Sequence, residues 1–384
     1  HFLVKDMGQN VVRYGLISTA KIGLNAHLPA SRESKNSEIV SISSRTATKA
    51  EAAAEEHGLK RWYASYEEQL ADPDIDAVIN PLPNSMHCEW TIKAAEAGKH
   101  ILCEKPLAVS TKECQRMIDA ANRNNVVLVE AFTHRWNPHL RKARQLIADG
   151  AIGKVATIDA ALCFNAEPDN NVRYSSELAG GALWDAGCYA VCAARFVLSA
   201  EPIRVRGAAY DSGNWGVDTT FSGIIEFASG AIANVTGSMD QPFRCQISID
   251  GRKGRIEIPS MFEDSGPIII KTGDSQNEQV IVTPAPNRFA VQFDEFSECV
   301  LTGKAPDFSA EDGLRNTAVI EALYESAYSG EATNLNSYHA DGLAEAADID
   351  LEIKIKPKFT PRGEFDYVDG SWPDKKEVSG KNDD

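Results

Sequence analysis

Three polar side chains, widely separated in the chain, are of types that together suit the movement of a proton and a hydride. Lys105 closes a short apolar run, Ile101-Leu-Cys103, within the turn Glu104-Lys105-Pro106. Pro106 has no N–H and drives the residue before it out of helical geometry, so a strand must end there. In open α/β sheets the carboxyl ends of strands are where ligands bind. Asp185 and Tyr189 stand four apart in Gly180-Gly-Ala-Leu-Trp-Asp-Ala-Gly-Cys-Tyr189, which on a helix puts both on one face. A hydroxyl that surrenders hydride needs a base for its proton, and tyrosine serves when a nearby cation favours the phenolate. Lys105 is the expected cation, and Asp185 the group that orients one of the two.

A second set of residues suits a dinucleotide. After an expected strand over 11–17 comes Ser18-Thr19-Ala20-Lys21-Ile22-Gly23, where Gly-x-Gly-x-x-Gly would let backbone amides approach a pyrophosphate. The first two glycines are replaced by Ser18 and Ala20, both small. The next strand, 39–43, leads into Ser44 and Arg45, with Lys49 one helical turn further. No carboxylate stands there to hold a ribose 2′-hydroxyl. A guanidinium beside hydroxyls suits a 2′-phosphate instead, so NADP is expected over NAD.

The elements that must position these groups follow from periodicity. Short apolar runs at 11–17, 39–43, 76–80, 101–103 and 126–132 alternate with helical stretches, which predicts a doubly wound parallel α/β sheet. After Arg135 the texture changes. A helix at 138–149, a strand at 154–161 and a helix at 180–198 opened by Gly-Gly precede strands at 205–210, 219–227, 231–238, 245–250, 254–258 and 268–271. Tight glycine turns join these strands, predicting a second, α+β part with a mostly antiparallel open sheet, closed by helices at 289–301 and 314–329. The expected divisions are 11–134, 135–335 and a polar extension over 336–384, with residues 1–6 resembling a vector remnant.

At 384 residues the chain is long for one core, and its net charge of −16 without a basic stripe argues against nucleic-acid binding. No run approaches the eighteen or so apolar residues that a membrane helix needs. Eight scattered cysteines and eight histidines show no ligand spacing, so no metal is expected, and reduced packing cysteines in a cytoplasmic protein fit best.

Taken together, Ser18–Gly23, Pro83-Asn84-Ser-Met-His87, Glu104-Lys105-Pro106 and Gly180-Gly181…Asp185…Tyr189 resemble the glucose–fructose oxidoreductase / inositol dehydrogenase / rhizopine-catabolism (Gfo/Idh/MocA) oxidoreductases over about residues 12–335. The resemblance implies an N-terminal Rossmann domain for the cofactor and a C-terminal domain for substrate and oligomer formation. It implies Lys105, Tyr189 and Asp185 as catalytic groups. It also adds Leu82, Pro83, Asn84, His87 and Glu104 to the cofactor set. Arg135 and Trp136, beyond the last strand of the first part, are expected to face the cleft. With Asn165, Arg173 and Tyr174 they would offer donors and an aromatic face to a sugar. Within the family the resemblance leans to aldose dehydrogenases, dimeric dihydrodiol dehydrogenases and glucose–fructose oxidoreductase. The implied activity is hydride transfer between a sugar hydroxyl carbon and NADP. A tightly held NADP(H) with a second sugar as oxidant, a trans-dihydrodiol substrate, and a nucleotide sensor without turnover are the alternatives. A homodimer or homotetramer through the C-terminal sheet is the implied assembly.

Overall fold

The computed structural model describes residues 11–263, 266–273, 277–283 and 286–335. The expectations for 1–6 and 336–384 lie outside the described residues. Six parallel strands form the first sheet: β1 (Val12–Ile17), β2 (Ser37–Ser43), β3 (Arg61–Tyr63), β4 (Ala77–Asn80), β5 (His100–Glu104) and β6 (Leu128–Ala131). Their spatial order is β3-β2-β1-β4-β5-β6. Strand order reverses between β1 and β4, and at such a switch point the flanking loops diverge and leave a crevice. The central strands are buried on both faces, as Ala77–Asn80 and Ile101–Glu104 illustrate, which is why their sequences run apolar without alternation.

The second sheet has nine strands among the described residues. They are β7 (Val155–Asn165), β8 (Pro202–Tyr210), β9 (Thr220–Phe227), β10 (Ile232–Ser238), β11 (Asp240–Gly251), β12 (Gly254–Ile258), β13 (Pro267–Thr272), β14 (Asn277–Val282) and β15 (Thr333–Asn334). The order is β14-β13-β12-β11-β7-β10-β9-β8-β15, and all pairs are antiparallel except β7 with β10. β9 and β10 alternate buried and exposed residues, the mark of a sheet covered on one face. Helices Cys188–Leu198 and Ala310–Ser329 cover the inner face, around a core that includes Leu183, Val191, Phe221, Val235, Ile247 and Leu323.

Three strands escape the sequence pattern. β3 is three residues long with Arg61 and Trp62 exposed, β14 is an edge strand that is half polar with Val280 and Val282 exposed, and β15 is a polar edge strand of two residues. The expected helix over 180–198 instead begins with a wide π-helical turn, Leu183–Gly187, which leads into Cys188–Leu198. Close packing against the sheet seats this turn. A Cβ on Gly237 of β10 would lie 2.5 Å from the Gly187 nitrogen, so only glycine permits the approach. All eight cysteines are free and buried.

Candidate active site

The loops after β1, β4 and β5 leave the same edge of the first sheet. At the end of β1, Ser18 adopts φ +72°, the left-handed region usually left to glycine. Serine tolerates it here with its Oγ accepting the Ala20 N–H at 3.3 Å. Thr19 and Ala20 are half-buried, whereas Lys21 and Ile22 face solvent. The turn therefore takes at Ser18 a conformation usually left to glycine and carries only small side chains through Ala20, which suits the close approach of a pyrophosphate. At the end of β2, Ser44 is buried with its Oγ accepting the Thr46 N–H at 3.2 Å. Arg45 and Lys49 are exposed, and Arg45 lies against the Tyr66 hydroxyl. An exposed guanidinium at this strand end fits a 2′-phosphate. Arg45→Asp is expected to raise the KM for NADP by about 10–100-fold, since hydrogen bonds to charged groups are worth about 1.5–3 kcal/mol. NAD-dependent turnover should hold or rise, and an equal response to both nucleotides would remove Arg45 from recognition.

Several residues assigned to the cofactor act from behind the crevice. His87 is 1% exposed, with its ring nitrogens 2.8 Å from the Pro106 carbonyl and 2.7 Å from the Leu82 carbonyl, to one of which the neutral ring donates. Burial pushes its pKa down against the pull of those carbonyls. It ties the loop after β4 to the turn after Lys105 and presents nothing to a nucleotide. Asn84 spends its amide on the Ala179 carbonyl at 2.8 Å, fastening the first half to the second. Leu82 packs in the core, and Pro83 is half-buried. The Glu104 carboxylate accepts from the His27 ring at 2.6 Å and the Lys105 N–H at 3.2 Å, so it supports the β1 turn through His27.

The three residues expected to react do meet. The Lys105–Pro106 bond is cis. Lys105 Nζ donates to the Asp185 carbonyl at 2.7 Å and to Asp185 Oδ1 at 3.1 Å, and lies 4.9 Å from the centre of the Tyr189 ring. Arg173 Nε grips the other carboxylate oxygen of Asp185 at 2.6 Å. Burial disfavours the charge on Lys105, but Asp185, Tyr189, Cys188 and Glu104 together outweigh it and the ammonium's pKa rises. Burial likewise opposes ionisation of Asp185, and Lys105 with Arg173 overcomes it, so the carboxyl titrates below its ordinary range. The ion pair is therefore charged at neutral pH. For Tyr189 the balance falls the other way. Burial raises the phenol and Lys105 pulls it back only in part, so the net shift is upward, contrary to the expectation of a lowered tyrosine. Phe132, Phe262 and His134 supply that apolar surround, with ring centres 4.8, 4.5 and 5.4 Å from Tyr189. Sequence spacing pointed to none of them, because an aromatic box gathered from separate segments leaves no local pattern.

Arg135 and Trp136 do not reach the cleft. Arg135 is fully buried, 2.8 Å from Glu130 and 2.7 Å from Asp312. Asp312 also pairs with Arg195 at 2.8 Å, and Glu130 accepts the Leu107 N–H at 2.8 Å. Trp136 is 5% exposed and packs on Phe308. A guanidinium placed next to a strand's own glutamate forms an internal pair in preference to facing solvent. Arg135→Met should therefore cost about 3–5 kcal/mol of stability by stranding Glu130. Denaturant unfolding reads that loss, and an unchanged substrate KM in the folded enzyme would separate it from a binding defect. Arg173 belongs to the centre, with its guanidinium 5.6 Å from the Phe164 ring. Asn165 is exposed one residue further along β7, and Tyr174 donates its hydroxyl to the Ala166 carbonyl at 2.9 Å.

No helix among the described residues is long and apolar enough to cross a membrane, and no cluster of His, Cys, Asp or Glu among them suits a metal. Residues 12–132 match the family described as "Oxidoreductase family, NAD-binding Rossmann fold", and 140–257 match "GFO/IDH/MocA C-terminal domain". The chain is 36% identical to a D-xylose 1-dehydrogenase (NADP(+)) 2 of Haloferax volcanii, over 84% of this chain and 99% of that one. It is 30% identical to a trans-1,2-dihydrobenzene-1,2-diol dehydrogenase of Xenopus laevis, over 82% and 97%. Among solved structures it resembles an aldose–aldose oxidoreductase from Caulobacter crescentus complexed with glycerol. That likeness has a TM-score of 0.78, 30% identity, and coverage of 85% of this chain and 100% of the other.

Proposed function

The chain belongs to the Gfo/Idh/MocA oxidoreductase family, and on that premise we propose an NADP-dependent dehydrogenase acting on a sugar hydroxyl. The observation that carries the proposal is the meeting of Lys105, Asp185 and Tyr189, with Nζ 3.1 Å from the carboxylate and 4.9 Å from the phenol ring, at the strand edge bearing the Ser18 turn. Ser18–Ile22 would hold the pyrophosphate, and Ser44, Arg45 and Lys49 the adenosine phosphate. A nicotinamide bound there would supply the hydride acceptor for oxidation of the substrate carbon and the hydride donor for the reverse.

The chain's own residues handle the oxygen and its proton. An ammonium has three protons, and two of those on Lys105 go to Asp185, which leaves the third for the substrate oxygen. Asp185, held between Lys105 and Arg173, fixes the direction of that donor. In oxidation the phenolate form of Tyr189 takes the hydroxyl proton, and in reverse the phenol gives it to the carbonyl oxygen. Arg173, 41% exposed at its side chain, faces the cleft and is the further donor for a neighbouring sugar hydroxyl. The free cysteines support a reducing compartment such as the cytoplasm. Ile224 and Ile232, exposed on the outer face of the nine-stranded sheet, support assembly through that face.

A second reading is favoured by the likeness to the aldose–aldose oxidoreductase: NADP(H) stays bound and a second sugar reoxidises it. Incubating purified protein with single aldoses and free NADP tests both. Stoichiometric NADPH release supports the dehydrogenase. Co-purified nicotinamide, reduced by one sugar and reoxidised by another, supports the second. A broad panel of sugars and diols giving neither result would overturn the function.

A further inference from the structure

Asp218 lies in the loop ahead of β9 and is 3% exposed. Three hydrogen bonds join it to the segment that presents Asp185 and Tyr189, or to the support of that segment. Its Oδ2 accepts the Leu183 N–H at 2.8 Å and its carbonyl accepts the Ala182 N–H at 2.7 Å. Its Oδ1 accepts the Tyr324 hydroxyl at 2.7 Å. The two amides open the Leu183–Gly187 turn, where backbone donors have no partner within the helix and a negative charge is favoured. Gly181, at φ +123°, makes the contact possible, since a Cβ there would lie 2.4 Å from Asp218 Oδ1.

We propose that Asp218 is a positioning residue of the reacting centre: as a carboxylate it seats the Leu183–Gly187 turn so that Asp185 and Tyr189 meet Lys105, and its protonation loosens that turn. The titratable groups facing it are Tyr324 and Tyr328 on the helix Ala310–Ser329 and Asp211 on its own loop. All are acids, so none compensates its charge. Burial pushes its pKa up to about 7, against the pull of the Tyr324 and Leu183 hydrogen bonds. A carboxyl raised above its unfolded value of about 3.9 favours folding while protonated, and that advantage is lost as pH rises through the folded pKa. Above neutrality Asp218 therefore weakens the fold while it anchors the turn. An amide at this position, uncharged throughout, would not carry that penalty.

The inference rests on the dehydrogenase reading only for its kinetic arm. Asp218→Asn and Tyr324→Phe are compared with wild type in three measurements: kcat for carbonyl reduction from about pH 5 to 9, where Tyr189 keeps its proton, denaturant stability, and hydrogen exchange of amides 182–187. Wild-type kcat should fall below about pH 7 with a single-proton limb. Asp218→Asn should remove the limb and lower kcat by about 10-fold at pH 8, because charge-assisted bonds are about twice as strong as neutral ones. It should be no less stable than wild type at pH 8, yet exchange 182–187 faster. Tyr324→Phe removes a donor that favours the charged carboxyl, so it should move the limb to higher pH. That variant carries the test should Asp218→Asn fail to fold. Nucleotide affinity should not change in either.

A wild-type limb and rate in Asp218→Asn, or a limb unmoved in Tyr324→Phe, would overturn the proposal. If wild type turns over no sugar, the dehydrogenase reading fails alone, and exchange decides for Asp218. Unchanged protection of 182–187 in both variants then counts against it.

Discussion

Lys105→Met is expected to lower kcat by about 1,000-fold, the scale seen when a charged donor at the reacting oxygen is removed. The ammonium is the group that joins the carboxylate and the phenol, and no second cation lies over the Tyr189 ring among the described residues. Arg173 remains on Asp185, so the carboxylate is not left without a partner and the fold should persist. Thermal unfolding and nucleotide titration of the variant separate a lost reaction from a lost structure. Arginine should not restore the rate, because its planar fork cannot satisfy the Asp185 carbonyl and carboxylate in the geometry of a compact ammonium. A kcat within tenfold of wild type would place the ammonium outside the reaction.

Tyr189→Phe should reduce turnover by about 100-fold or more, the range for loss of a general acid–base. The buried phenol holds its proton through neutral pH, which suits it to donate to a carbonyl. Oxidation requires the phenolate, so wild-type oxidation should go on quickening at alkaline pH, beyond the Asp218 limb, while carbonyl reduction, which uses the protonated phenol, stays level there. The alkaline rise should vanish in the phenylalanine variant. The ion pair beside it keeps its charge through neutral pH, because the Lys105 ammonium is pushed up and the Asp185 carboxyl down. An alkaline rise that survives in Tyr189→Phe would assign the proton to another group.

The buried strands of the first sheet were legible because residues covered on both faces must be apolar throughout. The three-residue β3 and the edge strands β14 and β15 carry no such demand, and their exposed or polar sequences hide them. Lys105, Asp185 and Tyr189 were legible through their local settings: a proline that ends a strand, and a Gly-Gly turn followed by four-residue spacing. Arg135 was misread for the opposite reason. Its partners Glu130 and Asp312 come from a strand and a distant helix, and only folding brings them to the guanidinium. His87 and Asn84 lie in a loop of the right composition, yet their side chains are spent on carbonyls. Asp218 sits at no recognisable spacing from Gly181, and its bond to Leu183 arises from tertiary packing alone.

The cross-connection of Lys105 with Asp185, and of Asn84 with Ala179, has a corollary. Neither half holds the cluster alone, since the turn after β5 contributes the ammonium and the helical segment from Leu183 contributes the carboxylate and the phenol. A hybrid that joins residues 11–134 of this chain to the second half of a distant relative should therefore place the ammonium poorly even where it keeps an acidic residue and a tyrosine opposite it. Mismatched seams would shift the ammonium away from its two acceptors.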